Sequence, residues 1–225
     1  MTGADRDRDV PGWLTALASA AAGMPVPAAL QPRPGGRRAA VLILFGHGQA
    51  GPDLLLVQRG PRLRQHAGQP AFPGGAIDAA DGGPVQAALR EAAEEARVDP
   101  SGVQVLTVLP DLYVPRSGYT VTPVLAWWQR PAPVWPGNPV EVAAVARVAV
   151  SELADPANRV SIRHPSGASG PAFRAGGMLV WGFTALVVDR LLALGGWEIP
   201  WDASRAEDLP AEAALAASSE QGTIT

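Results

Sequence analysis

The sequence contains no cysteine among its 225 residues. This absence excludes disulfide bonds, a thiol nucleophile and thiolate metal ligands, so any metal ion would have to be bound by oxygen or imidazole nitrogen. Of the three histidines, neither His47 nor His164 has a convincing metal-ligand neighbour in the sequence. Hard cations such as Mg²⁺ or Mn²⁺ are therefore the favoured cofactors.

A surplus of basic residues is also absent. The chain has 18 Lys and Arg residues against 21 Asp and Glu residues, which gives a formal net charge of −3. A protein that binds nucleic acid usually carries a basic stripe for the phosphate backbone, so no nucleic-acid partner is expected. A small anionic ligand bound by a local basic cluster remains open.

Long apolar runs are lacking as well. The apolar stretch from Trp13 to Ala22 is too short for a membrane span, and the segment MTGADRDRDV before it is not a basic lead because it includes acidic residues, so neither a span nor a signal peptide is predicted. We expect a cytoplasmic protein with no membrane partner. With 47% hydrophobic residues, the chain can bury a core, and one main domain with terminal segments is the simplest division.

Hydrophobic periodicity predicts an α/β domain with helices on both faces of a mixed sheet. Helices are predicted at residues 11–23, 84–97 and 181–194, and strands at 39–45, 53–58, 103–109, 120–128 and 142–148. The first two strands should form an antiparallel hairpin. We divide the chain into a helical and Pro-rich arm (1–38), a main domain (39–197) and a frayed C-terminal tail (198–225).

The predicted second helix carries an acidic cluster. Glu91 and Glu95 lie one turn apart on one face and Glu94 lies beside them, so their mutual repulsion would be unfavourable without a cation. Hard divalent ions prefer such oxygen ligands. Taken alone, a Glu-rich helix is more often a solvated acidic face.

A long Gly- and Pro-rich loop precedes this helix, over residues 60–83, and loops of this length are usually functional. Within it, Gly74 and Gly75 of the segment FPGG stand where a backbone turns sharply or approaches a ligand closely. Arg59, Arg62 and Arg64 supply guanidinium donors suited to phosphate oxygens. A glycine turn with surface arginines is the simpler explanation of each feature alone, but together they indicate a metal site beside phosphate-binding groups.

These residues resemble the Nudix box of the Nudix hydrolases. The segment REAAEEARV, residues 90–98, matches the second half of that box except that Arg97 stands where the family has Gly. The first half is modified: five residues separate Gly75 from Asp81, which replaces the usual Glu, and eight residues rather than seven separate Asp81 from Arg90.

The segment before the box resembles one branch of the family, the coenzyme A pyrophosphatases. The run LLVQRG at 55–60, then Arg64, Gly68 and the FPGG segment have that branch's spacing, although Val57 and Gly60 replace its usual Thr and Ser. The segments YTVTPV at 119–124 and VWGFTA at 180–185 are also similar. The resemblance extends from about residue 39 to residue 194.

The resemblance implies a Nudix α/β/α sandwich, with a mixed sheet between helices, that hydrolyses a pyrophosphate linkage with Mg²⁺ or Mn²⁺. It implies Glu91, Glu94 and Glu95 as metal ligands, with Glu94 also a catalytic carboxylate. Arg90 would orient a carboxylate, or simply pair with Glu94 along the helix. Glu141 is a candidate general base, or alternatively a plain exposed residue at a strand edge.

The implied substrate is coenzyme A or its thioesters, cleaved to 4′-phosphopantetheine, or its acyl form, and adenosine 3′,5′-bisphosphate. The candidate substrate-binding residues are Arg59, Arg64, His66, Gln69, Gly74 and Gly75, although His66 is equally consistent with a loop residue bonded to backbone. Another nucleoside diphosphate derivative such as ADP-ribose is the alternative substrate. A third hypothesis, a weakly catalytic Nudix binding module, is favoured by Arg97 and disfavoured by the three box glutamates.

The arm and tail are candidates for a homodimer contact or for covering the sheet.

Overall fold

The computed structural model describes residues 9–61, 63, 67–115, 117–165, 167–210 and 213. Four α-helices are present in these residues: α1 (Gly12–Ala22), α2 (Pro84–Ala96), α3 (Val150–Ala154) and α4 (Gly182–Leu194). Short 3₁₀ helices lie at Ala28–Leu30, Pro100–Gly102 and Pro156–Asn158. The strands are β1 (Arg37–Gly48), β2 (Gly51–Arg59), β3 (Pro70–Ala71), β4 (Gly74–Ala76), β5 (Val103–Val108), β6 (Leu112–Val114), β7 (Tyr119–Trp128), β8 (Val142–Ala149), β9 (Arg159–Arg163), β10 (Ser169–Ala175), β11 (Met178–Val180) and β12 (Ala206–Asp208).

The larger sheet is mixed and is built around β1. Strand β1 pairs antiparallel with β2 through a tight turn in which Gly48 faces Gly51, so the predicted hairpin is confirmed. On its other side β1 runs parallel to β7. The order β3-β2-β1-β7-β5 forms the main path, with β4 paired to β1, β6 to β7 and β8 to β2.

Both faces of this sheet are covered by helices. Along β1, Ile43 and Phe45 belong to the core shared with α1 and α4, whereas Leu42 and Leu44 belong to the core shared with α2. Successive side chains of a strand point to opposite faces, so a strand buried on both faces reads as one continuous apolar run. The predicted α/β/α sandwich with a mixed sheet is confirmed.

Helix α2 packs on the sheet through small side chains. Its buried apolar positions are Ala87, Ala88, Ala92 and Ala96. Alanine combines the highest helix propensity with a short side chain, so the helix axis can approach the strands closely. Pro84 occupies the first turn, where its missing N–H removes no helical hydrogen bond. This packing fixes which side of α2 carries the glutamates.

A second sheet, in the order β11-β10-β9-β12, was not predicted from the sequence. Strand β12 pairs parallel with β9, and Leu209 beyond it is buried. The expectation of a frayed tail is therefore wrong for residues 206–209. The loop expected over residues 60–83 likewise contains β3 and β4. Within the described ranges, no helix is long and apolar enough to cross a membrane.

Candidate active site

The two glycines of the FPGG segment lie directly against the acidic helix. The Gly74 backbone N–H donates to Glu95 Oε2 at 3.0 Å. A side chain at Gly75 would collide with the Glu91 carboxylate, and one at Gly74 would collide with the backbone of Ala40 and Val41 in β1. Gly74 therefore needs glycine for close approach to backbone, as the sequence indicated, whereas a side chain at Gly75 would displace the end of the Glu91 side chain.

Glu95 is the most buried of the three box glutamates, with only 9% of its surface exposed. Burial is the main cause that raises the pKa of Glu95 to about 7, and the negative charges of Glu91 and Glu141 add to it. The Gly74 N–H and the Arg59 guanidinium, whose Nη1 lies 3.4 Å from Glu95 Oε1, act in the opposite direction. A buried carboxylate in acidic surroundings is stabilised by additional positive charge.

Glu91 is also partly buried, although its side chain is more exposed than that of Glu95. Burial raises the pKa of Glu91, and the adjacent Arg90 guanidinium partly opposes that rise. Glu94 differs from both, because 60% of its side chain is exposed. The helix therefore presents two partly desolvated carboxylates and one solvated carboxylate.

Arg90 connects the loop to the acidic helix. Its guanidinium donates to both carboxylate oxygens of Asp81, each at 3.0 Å, and to the Ala76 carbonyl at 3.1 Å. It also donates to Glu91 at 2.9 Å and to Glu94 at 3.3 Å. The orientation of a carboxylate and the pairing with Glu94 thus occur together. The hydrogen bonds from Arg90 are the main cause that lowers the pKa of Asp81.

The role of Asp81 as an Arg90 partner was not predicted. Asp81 was noted in the sequence only as a departure from the box, which has Glu there and one residue fewer before the Arg. The structure brings the shorter Asp side chain to Arg90 with bidentate geometry, the strongest arrangement for a guanidinium and a carboxylate. The signal available in the sequence was an acidic residue, Asp81, in the loop just before the helix that carries Arg90.

The end of α2 is held by the connection between β7 and β8. Arg97 adopts the left-handed conformation, with φ 58° and ψ 29°, and its guanidinium donates to the Gly137 carbonyl at 2.9 Å. The Gly137 N–H donates in turn to the Glu95 carbonyl at 2.9 Å. Arg97 thus forms the left-handed turn at the helix end that is usually formed by glycine. Its guanidinium binds the connection between β7 and β8.

The same connection brings Glu141 to the site. The Glu141 carbonyl accepts a hydrogen bond from the Gly60 N–H at 2.7 Å, next to Arg59. Glu141 also contributes to the raised pKa of Glu95, as a neighbouring negative charge does. The candidate base and the acidic helix therefore lie close together, although Glu141 lies 46 positions after Glu95 in the sequence.

A cavity of about 290 Å³ adjoins these residues. Arg59, Gln69, Gly74 and Gly75 line one part of it, and apolar and aromatic residues line the rest: Val41, Val121, Tyr119, Trp181 and Phe183. The Arg59 Nε atom is buried and has no hydrogen-bond partner among the described residues. A buried, unpaired guanidinium donor is unfavourable unless a ligand accepts its hydrogen bond. Arg64 and His66 lie outside the described residues.

The donor chemistry of the acidic helix fits a hard divalent cation. All the candidate ligands are carboxylate oxygens, and Arg59 and Arg90 now neutralise them by ion pairs. Within the part of the chain that the structure describes, no three acidic or histidine side chains converge on one point. Glu91 and Glu95 nevertheless combine burial with raised pKa values, which is the state of carboxylates that lack sufficient positive charge.

Comparison with known proteins assigns the fold and site to a family. The NUDIX domain family matches residues 35–165, more than half of the chain. The chain is 40% identical over 166 residues to the uncharacterized Nudix hydrolase NudL of Citrobacter koseri, covering 69% of this chain and 81% of that protein. It is 53% identical over 89 residues to NudL of Escherichia coli K12, covering 40% of this chain and 45% of that protein.

The chain therefore belongs to the Nudix hydrolase family and is an enzyme of that family. The fold agrees with this membership. The crystal structure of RenU, a Nudix hydrolase from M. smegmatis, is similar with a TM-score of 0.52 and 23% sequence identity, over 74% of this chain and 89% of that one. At this identity the similarity concerns the fold alone.

Proposed function

We propose that this Nudix pyrophosphohydrolase cleaves the pyrophosphate linkage of coenzyme A and its thioesters. The observation that carries the proposal is the position of the glycine loop. Gly74 and Gly75 lie in contact with Glu95 and Glu91 at the edge of a cavity that also receives Arg59. The glycine backbone, the Arg59 guanidinium and an acidic cluster are together groups that bind a metal-bound pyrophosphate.

The residues of α2 would hold the metal. Glu91, Glu94 and Glu95 would bind Mg²⁺ or Mn²⁺ through carboxylate oxygens. When bound, such ions neutralise phosphate oxygens and lower the pKa of water. Arg90 keeps the glutamates in place, because it bonds Glu91 and Glu94 while being fixed by Asp81.

The remaining groups act on substrate and water. Arg59 lines the cavity and would donate to a phosphate oxygen, and Gln69 lies beside it in the cavity wall. Glu141 is the proposed general base, which would accept a proton from the attacking water. The water oxygen then bonds to one phosphorus, the bridging P–O bond breaks, and the second phosphate leaves with the bridging oxygen.

Coenzyme A is favoured as the substrate by the residues around the cavity. The run from Leu55 to Gly75 has the coenzyme A branch's spacing, and two positions within it lie together, because the Arg59 N–H donates to the Gln69 carbonyl at 3.0 Å. Beyond the glycines, the cavity is lined by Val121, Trp181 and Phe183. This lining suits the largely aliphatic pantetheine arm better than a second sugar.

Product identification tests the proposal. The purified chain is incubated with coenzyme A and Mg²⁺ or Mn²⁺, and with ADP-ribose in parallel, and the products are separated by chromatography. We expect adenosine 3′,5′-bisphosphate and 4′-phosphopantetheine from coenzyme A, at a kcat/KM well above that for ADP-ribose. Good cleavage of ADP-ribose with no cleavage of coenzyme A would overturn the proposal.

A further inference from the structure

A second cavity, of about 400 Å³, adjoins the one beside the glycine loop. Phe183 lines both cavities. On β7, Val121 lines the first and Pro123 lines the second, and residues two apart on a strand point to the same face of a sheet. The two cavities therefore lie on the same face of the larger sheet and share Phe183 as part of their walls.

The second cavity is apolar. The N-terminal arm contributes Met24, Pro25, Pro27 and Leu30, and helix α4 contributes Leu186, Val187 and Leu191. Two charged residues also line it: Asp189 pairs with Arg159 outside the cavity, and Arg190 Nε donates to the Sδ of Met24, itself a lining residue, at 3.1 Å. Such a lining excludes a charged or sugar-like occupant and fits an aliphatic one. A volume of this size is typical of small-molecule sites, which span about 300–1,000 Å³.

We propose that this second cavity binds the acyl chain of coenzyme A thioesters. The inference rests on the proposed function. In a thioester, the acyl group is attached to the end of the pantetheine arm that is far from the pyrophosphate. A substrate with its pyrophosphate at Gly74 and its arm along the first cavity would therefore bring the acyl chain to Phe183, beyond which the apolar cavity begins.

The origin of the lining supports a role in substrate choice. The arm residues 24–30 and helix α4 both lie outside residues 35–165, the part of the chain that matches the family domain. The matched domain carries the acidic helix and four of the lining residues, Leu109, Pro110, Leu112 and Pro123, and the segments outside it contribute most of the remaining aliphatic lining. We expect this arrangement when the residues for pyrophosphate hydrolysis belong to the family domain and residues outside that domain help to bind one part of the substrate.

The test is a chain-length series on the wild-type enzyme. Coenzyme A, acetyl-, butyryl- and octanoyl-coenzyme A are compared by release of adenosine 3′,5′-bisphosphate, a product common to all four. We expect kcat/KM to be at least about tenfold higher for the octanoyl than for the acetyl thioester. A tenfold change corresponds to about 1.4 kcal/mol, the transfer free energy of roughly two methylene groups.

Two variants locate the effect. Leu186 lines the second cavity and is 45% exposed, so Leu186→Trp would fill the cavity from its surface and should reduce the octanoyl-to-acetyl ratio to about one or two. Ile199 is 47% exposed and does not line either cavity, so Ile199→Trp is the matched control and should keep the wild-type ratio. Thermal unfolding of both variants checks that they fold.

The outcomes are distinct. Hydrolysis of coenzyme A and all thioesters at one kcat/KM would overturn the acyl site and leave the proposed function intact. A preference for octanoyl that survives in Leu186→Trp would place the acyl chain elsewhere and overturn the assignment to this cavity. If wild-type enzyme cleaves neither coenzyme A nor any thioester, both proposals are wrong. The wild-type series decides even if Leu186→Trp fails to fold.

Discussion

At the scale of single residues, the two departures from the Nudix box are accommodated by local geometry. Asp81 has a shorter side chain than the usual Glu, yet it reaches Arg90 with both oxygens at 3.0 Å. Arg97 replaces Gly and still adopts the left-handed conformation in which α2 ends. The sequence identified both positions as departures, but could not show which contacts Asp81 and Arg97 make.

The backbone strain at Arg97 can be measured with two substitutions. Neither Arg97→Gly nor Arg97→Ala retains the guanidinium that donates to Gly137, so their difference isolates the backbone. We expect the Gly variant to be more stable than the Ala variant by roughly 1 kcal/mol, because a Cβ makes the left-handed region unfavourable. Urea unfolding gives the two free energies. Equal stabilities would contradict a left-handed turn at this position.

Glu95 provides the sharpest test of the metal assignment. With Mg²⁺, we expect Glu95→Gln to lower kcat by at least about 100-fold, in line with the several kcal/mol that metal ions contribute to transition-state stabilisation. Without metal, the variant should be at least as stable as wild type, because burial raises the pKa of Glu95 and a neutral side chain avoids that unfavourable ionisation. Thermal unfolding of wild type and Glu95→Gln, each with EDTA and with Mg²⁺, measures these stabilities. Mg²⁺ should stabilise wild type and should not stabilise Glu95→Gln.

Glu207→Gln is the matched control for this substitution. Glu207 lies on β12 and forms an exposed ion pair with Arg174, remote in the sequence from the acidic helix. It should retain wild-type kcat and the wild-type response to Mg²⁺. Equal turnover by wild type and Glu95→Gln in Mg²⁺ would contradict the assignment of Glu95 as a metal ligand.

At the scale of elements, the acidic helix is held at its middle and at its end. Arg90, in the middle of α2, binds β4 and Asp81, and the end of the helix is bound to the β7–β8 connection through Gly137. The helix and the main strands could be predicted because burial imposes periodic apolar patterns. These two attachments could not be predicted, because they join groups whose proximity is decided by the tertiary fold.

Gly137 tests the attachment at the helix end. A Cβ on Gly137 would collide with the Glu94 carbonyl, so Gly137→Ala must displace either the connection or the helix end. We expect a loss of about 1–3 kcal/mol in unfolding free energy, as for other overpacked sites. Activity should also fall, about tenfold or more, because the displaced segment carries Glu141 and because small misplacements of catalytic groups are costly.

Gly170→Ala is the control for this prediction. Nothing lies within 4 Å of a Cβ built on Gly170, and its φ is not in the left-handed region. This variant should keep both wild-type stability and wild-type kcat. If the two alanine variants behaved alike in unfolding and in steady-state kinetics, the connection would not be fixing the end of α2.

At the scale of the whole molecule, the sequence predicted the larger sheet and not the smaller one. Strands β1, β2 and β7 are buried on both faces, which produces long apolar runs. Strand β9 instead begins with Arg159, which is 1% exposed and lies over the rings of Phe173 and Trp201. A buried arginine reads as a surface residue in sequence, and β11 and β12 have only three residues each. The proposed division at residues 38 and 197 remains a prediction.

The smaller sheet gives the C-terminal segment a structural role that can be measured. Leu209 is 5% exposed, packs with Val160, Ile162 and Ala172, and its N–H donates to the Arg163 carbonyl at 2.9 Å. Leu209→Ala should therefore reduce the unfolding free energy by about 2–4 kcal/mol, the range for leucine truncated in a core.

Ile199→Ala supplies the comparison, because this residue lies just before the segment that follows Pro200 but is 47% exposed, and exposed substitutions usually change stability by less than about 0.5 kcal/mol. Urea unfolding of wild type and both variants gives the two differences. A small change in Leu209→Ala, similar to that in Ile199→Ala, would mean that the segment after Pro200 is frayed as its composition suggested. A large change confined to Leu209→Ala would mean that this segment completes the core of the smaller sheet.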